Sequence, residues 1–262
     1  MGNLIKMDLR RLFISKVFYI SMAVVALLNI LLDGGSYLLV KIFAPGENIA
    51  APELSDLIIS PFSISLLLVA LFISVVNFTY ADIAFGYIKN IAGQIPRKSD
   101  TIISKYIVLG VHNLIFMLVG VCSAVLGTAI GGAFAGVAIK VDAPHYLAAA
   151  VATLLIKWLL IMAMSAIIML VTVGVKNKSL ASVVGVFLGT GALALVYLGL
   201  NTGIANIFKK SVNVANFVPD QLFGSVNVAT NSYVANAVIV AIICIVLFMT
   251  LTVKLFNSRD VK

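Results

Sequence analysis

The chain has 262 residues, 62% of them hydrophobic and only 11% charged, with a formal net charge of +8. A soluble domain carries about 25% charged and about 45–50% apolar residues, so these proportions set aside a water-soluble globular enzyme and point to an integral membrane protein. No stretch is polar enough to form a soluble domain outside the bilayer, and a large catalytic domain is expected on another chain.

In chain order, residues 1–16 place Ile5, Leu9, Leu12, Phe13 and the adjoining Val17 on one helical face, with Asn3, Lys6 and Arg10 on the other. The pattern predicts an amphipathic helix lying along the membrane surface, the alternative being a solvated basic N-terminus that only sets topology. No Ala-x-Ala cleavage pattern follows Leu32, and Lys6 replaces the Ser or Thr of a myristoylation signal. The first apolar span is therefore expected to stay in the mature protein.

A helix crosses about 30 Å of hydrocarbon with about 20 apolar residues at about 1.5 Å each. Six segments qualify, at about 17–39, 61–81, 106–126, 155–175, 180–200 and 235–255. Gly127, Gly131, Gly132 and Gly136 interrupt the apolar stretch 127–154, which predicts an interfacial or broken segment there. Gly127 with Gly131, and Gly185 with Gly189, have GxxxG spacing and predict close helix packing, within one chain or between two.

Ionisable groups in the spans are few. Counting back from Val175 puts Lys157 and Trp158 at the outer interface, as a snorkelling cation and a belt aromatic; a substrate-lining cation is the alternative. His112 lies about 10 Å into the third span, where a hydrogen bond across helices is expected rather than a proton relay. Cys122 and Cys244 both sit in apolar runs, so neither a disulfide framework nor a metal cluster is indicated. Residues 201–234 carry Pro219 between two short helical segments, predicting either a re-entrant hairpin or an ordinary extracellular loop.

With both termini inside, the cytoplasmic segments hold thirteen basic residues: Lys6, Arg10, Arg11, Lys16, Lys89, Arg97, Lys98, Lys105, Lys176, Lys178, Lys254, Arg259 and Lys262. The other side holds four, Lys41, Lys140, Lys209 and Lys210. This imbalance predicts an N-in, C-in topology and makes the +8 a topology signal rather than a mark of nucleic-acid binding.

The segment 82–105 between the second and third spans carries Ile88, Ile91 and Ile95 at helical spacing, then Pro96, the basic pair Arg97 and Lys98, and Ser99 as a helix cap. An apolar stripe in a water-facing loop needs a partner. It predicts either a docking helix or a helix resting on its own membrane.

Together, the N-terminal helix, the six spans with both ends inside, and the loop reading Gly86-Tyr87-Ile88-Lys89-Asn90-Ile91, then Pro96-Arg97-Lys98, then Ser104-Lys105, resemble ABC-2 type permeases of bacterial ATP-binding cassette exporters. Asp82 stands near the place of an acidic residue in that family. The resemblance implies a six-span, all-α membrane subunit in a bacterial plasma membrane. It also implies that Gly86, Tyr87, Ile88, Lys89, Asn90, Ile91, Ile95 and Arg97 form a coupling helix that docks into a separate ATPase subunit. That partner would bind ATP and Mg; this chain would hold no cofactor and would pair with a second permease copy. Within the family the chain looks most like permeases of Gram-positive peptide exporters, those for lantibiotics and phenol-soluble modulins, which implies amphipathic peptide cargo.

Catalytic patterns point the same way by their absence from the sequence. There is no Gly-x-x-x-x-Gly-Lys phosphate loop, no His-Glu-x-x-His, and no glutamate besides Glu47 and Glu53. No Asp or Glu occupies the centre of a span, as an ion-coupled carrier would need. The expectation is a non-enzymatic exporter half driven by its partner. The competing readings are a non-pumping immunity or sensor-anchoring protein that binds a membrane-active peptide, and a small ion pore, which lacks a filter motif.

Overall fold

The computed structural model describes residues 1–44, 50–62, 65–84, 99–209 and 213–258. The first helix, α1 (Gly2–Ile14), ends at Ser15, whose extended backbone (φ −68°, ψ 117°) lets α2 (Lys16–Phe43) start in a new direction. After α3 (Leu54–Ile59) come α4 (Ser65–Ala84), α5 (Ser99–Ala135) and α6 (Pro144–Val175). Next are α7 (Lys178–Thr190), α8 (Ala194–Phe208), a 3-10 turn (Val214–Phe217), α9 (Pro219–Ser225) and α10 (Val234–Asn257). Among the described residues, β-structure is limited to the isolated bridges Glu53–Lys140 and Asn227–Ser232.

The fold is all-α. Four helices, α2, α5, α6 and α10, are long and apolar enough to cross a membrane, and the bent pair α7–α8 makes a fifth if it counts as one span. The apolar part of α4, Ser65–Ala81, is shorter. The chain is thus compatible with an all-α membrane protein, and its large outward apolar side chains, such as Leu31, Ile243 and Val246, fit lipid better than water.

The middle of the bundle is α6. Its run Leu160 to Ala166 is buried at every position, so this helix meets protein on all sides, packing against α3, α4, α5, α7, α9 and α10. Around it lie the buried side chains of α4 (Leu67, Leu71, Phe72, Val75) and α5 (Val108, Leu109, Phe116, Met117). Tyr106 donates to the Met162 carbonyl at 2.9 Å and Trp158 Nε1 to the Gly110 carbonyl at 3.1 Å, fixing the register of α5 against α6.

The third apolar segment corrects an expectation. Its helix does not stop near residue 126 but runs to Ala135, and α6 begins at Pro144, well before residue 155. Of the glycines read as breakers, Gly136 (φ 79°) does end the helix, whereas Gly127 is a contact point: a Cβ built on it would stand 2.8 Å from the Ile30 Cα, and one on Gly34 would stand 2.7 Å from the Gly127 carbonyl oxygen. Close packing of α2 on α5 offsets the helix cost of each glycine, about 1 kcal/mol. Asn29 adds hydrogen bonds to the Gly120 carbonyl (3.3 Å) and Ser123 Oγ (3.0 Å), and Lys41 donates to the Phe134 carbonyl. The second GxxxG pair packs α7 on α4, a Cβ on Gly189 falling 2.8 Å from the Val69 backbone nitrogen. Both pairs therefore serve packing within one chain.

The fifth apolar segment is broken. Asn177 caps α7 by accepting from the Ser179 and Leu180 backbone N–H groups at 2.9 and 3.4 Å. After the thirteen residues of α7, Gly191 turns left-handed (φ 66°) and α8 leaves at 76° to α7. Past it, Pro219 opens α9 at the position where a proline costs no hydrogen bond. Tyr197 donates to Asp220 at 3.2 Å and ties α8 to α9. In the α5–α6 connection the Lys140 carbonyl accepts from the Leu54 N–H and the Lys140 N–H donates to the Pro52 carbonyl, while Asp142 accepts from the Ser55 N–H at 2.8 Å, closing one end of the bundle.

Candidate functional site

Three polar features interrupt the apolar bundle. The first is a junction where α1, α4 and α5 meet. Ser104 and Lys105 are neighbours on α5, about 100° apart around the helix, so they address different partners. Ser104 Oγ donates to Asp8 Oδ2 on α1 at 2.8 Å, and Arg11 stands 3.7 Å from the same carboxylate. Lys105 Nζ reaches the Phe78 and Thr79 carbonyls of α4 at 3.2 and 3.4 Å and lies 5.1 Å from the Phe78 ring centre. Asp8 and Lys105 are both 4% exposed. The N-terminal helix therefore does not merely float on a surface: Leu12 is buried and a buried carboxylate fastens α1 to α5.

The second feature is a hydrogen-bonded row through the bundle centre. Ser74 Oγ lies 2.9 Å from His112 Nε2, His112 Nδ1 lies 2.9 Å from Asn113 Oδ1, and Asn113 Nδ2 donates to Ser165 Oγ at 3.0 Å. With the Asn113 oxygen accepting, Nδ1 carries the imidazole proton and Nε2 accepts from Ser74. The row links α4, α5 and α6, and His112 fills the expected role of a bond across helices.

The third feature is a cavity of about 290 Å³, open to one side, at the break between α7 and α8. Thr190 and Gly191 form one wall, α9 another through Asp220 and Phe223, and Lys157 of α6 reaches in. Lys157 Nζ donates to the Ile59 carbonyl at 2.8 Å and sits 5.1 Å from the Phe223 ring centre. At 4% exposure it does not snorkel, which corrects its assignment as an interface anchor. The short helices α3 and α9 cover it, and no count of residues along α6 reveals that cover. Trp158 likewise spends its N–H on α5 rather than in a belt.

The residues expected to dock an ATPase, Gly86, Tyr87, Ile88, Lys89, Asn90, Ile91, Ile95 and Arg97, lie outside the described residues, as does most of the 82–105 loop. What the structure gives is the footing of that loop, α4 before it and α5 after it, tied together by Lys105. The sequence reading missed Asp8 at this footing. Its signal was available, since Asp8 shares a helical face with Ile5 and Leu12 and so carries a charge on the apolar side. Among the described residues no group of three or more His, Cys, Asp or Glu side chains is placed to hold a metal ion.

No known family model matches the chain, and no curated protein matches it.

Proposed function

We propose that the chain is the transmembrane permease subunit of an ATP-driven exporter in a bacterial plasma membrane, with six crossings and both termini inside. In this reading α4 and the bent α7–α8 pair supply the two crossings beyond the four long apolar helices. Two copies form the pathway, and a separate ATP-binding cassette subunit, holding ATP and Mg, drives alternating access. The cargo is amphipathic or apolar, in keeping with the scarcity of charge in the spans, and peptides are the class the sequence resemblance favours.

The observation that carries this reading is the α1–α4–α5 junction. The segment with the apolar stripe joins α4 to α5, and the helices on its two sides are locked to each other by Lys105 and to α1 by Ser104 and Asp8. A push on that segment would move three helices together, as a coupling element requires. The test is purification of the full-length chain from its native membranes, followed by ATPase and vesicle-export assays of what comes with it. Recovery of a stoichiometric ATPase, and export that depends on ATP, is expected. Lys105→Met should then leave ATP hydrolysis in place while lowering export. A chain that purifies without any ATPase and protects cells against a membrane-active peptide without moving it would replace this reading with the immunity alternative.

A further inference from the structure

The cavity at the α7 break presents two opposite charges that do not meet. Lys157 and Asp220 both line it, yet no ion pair joins them. An ammonium has three donors, and Ile59 takes one of those of Lys157. Asp220 accepts one bond at each oxygen, from Tyr197 (3.2 Å) and Gln221 (3.1 Å), which leaves a lone pair on each. A nearly buried lysine in an apolar bundle is costly without a counter-charge, and the phenyl face of Phe223 answers only part of that cost.

Position narrows the ligand further. Thr190 is twelve residues along α7 from Lys178, about 18 Å by helical rise, so the break falls inside a hydrocarbon slab of about 30 Å. Non-helical backbone at that depth is tolerated where it lines a polar cavity, which is its situation here. Apolar surface is near in the chain: Leu66 and Phe187, next to the lining residues Ser65 and Leu188, are 54% and 47% exposed. A polar, two-charged cavity with exposed apolar side chains next in the chain to its lining fits a molecule with a zwitterionic head and hydrocarbon tails. The cavity has room for the volume of roughly ten waters at about 30 Å³ each, enough for a phosphate and an aminoethyl group.

We propose that this cavity holds the head group of a zwitterionic phospholipid, its phosphate on the Lys157 ammonium and its primary ammonium on the Asp220 carboxylate, with the acyl chains lying along Leu66 and Phe187. The proposal uses only the bilayer setting and stands apart from the ATPase reading. The test is native mass spectrometry of the purified full-length protein taken from nanodiscs containing equal amounts of phosphatidylethanolamine, phosphatidylcholine and phosphatidylglycerol. Retention of phosphatidylethanolamine over the other two by about tenfold is expected, the effect of one charge-assisted hydrogen bond. Asp220→Asn should abolish that preference, Lys157→Gln should lower retention of all three lipids, and Lys157→Arg should keep most of it. Because Lys157→Gln removes a buried charge and can impair folding, the Asp220→Asn variant, on a different helix and checked for native helicity, decides the matter. Equal retention of the three lipids by the native chain, or a preference that survives Asp220→Asn, would overturn the proposal. So would displacement of the lipid by free phosphoethanolamine at the lipid's own concentration, since it would assign the cavity to a soluble ligand.

Discussion

Gly34 and Gly127 meet backbone to backbone: a Cβ on Gly34 would stand 2.7 Å from the Gly127 carbonyl oxygen, closer than real Cβ contacts come. This crossing, rather than any side-chain pair, sets how near α2 lies to α5. Gly127→Leu should therefore force the helices apart and lower stability by about 1–3 kcal/mol, read as a lower midpoint of thermal unfolding in detergent. Gly35→Ala is the matched control, because nothing lies within 4 Å of a Cβ there. It should be neutral or stabilising by up to about 1 kcal/mol. Equal effects of the two substitutions would show that the crossing is not tight.

A second expectation concerns the closed end of the bundle. Hydrogen bonds from the Ser55 side chain and backbone hold the Asp142 carboxyl below its ordinary value of 3.8, with a smaller contribution from the Lys140 charge. A lowered folded-state value means that the contact contributes stability at pH above 3.8 and loses it as the pH falls further. The native chain should unfold at higher temperature than Asp142→Asn near neutral pH, and the gap should shrink to nothing in acid below that value. A gap that is flat across this range would separate Asp142 from any role in holding α3 to the α5–α6 connection.

What the sequence disclosed, and what it hid, follows from the range of the interactions. Hydropathy over about 20 residues is a local quantity, so four of the six apolar segments fall on helices long enough to cross a membrane, while 61–81 falls largely on the shorter α4 and 180–200 on the bent α7–α8 pair. Where a segment ends depends on what it packs against, so the extension of α5 to Ala135 was not legible: Gly127 reads as a breaker until α2 is seen against it. Lys157 failed for the same reason in reverse. The cover over it comes from Ile59 and Phe223, about 100 and about 65 residues away in the chain. The break at Gly191 was half legible, since Gly189-Thr190-Gly191 sits inside a span, yet only the left-handed φ of 66° makes it a turn. Asp8 and Ser104 lie 96 positions apart, and no periodicity joins them.

Topology yields the third prediction. With thirteen basic residues assigned to one side and four to the other, the start of α5 is expected to face the cytoplasm. In a chain with Cys122 and Cys244 replaced by Ser, a single cysteine at Ser99 should react with an impermeant maleimide only after lysis. Labelling in intact cells would invert the assignment and move the α1–α4–α5 junction to the outer face.

The most consequential prediction concerns the stripe Ile88, Ile91 and Ile95 between α4 and α5. These apolar residues recur at helical spacing among Lys89, Arg97 and Lys98, an apolar centre with a polar rim suited to a protein groove. Burial of each isoleucine contributes about 1.5–3 kcal/mol, so losing two of them should weaken binding by at least a hundredfold. Ile88→Asp with Ile91→Asp should leave the bundle in place, because neither residue falls in an apolar span of the sequence and the α4–α5 footing is held by Lys105. Insertion and thermal unfolding should therefore match the native chain, while co-purification with the ATPase and ATP-dependent export are lost. The readouts also separate two kinds of failure. If the double variant unfolds early, the segment is part of the bundle's own packing. If it is stable, keeps its ATPase and still exports, the stripe lies on the membrane and the drive enters this chain elsewhere. Loss of binding with stability retained is the one pattern that a coupling helix produces.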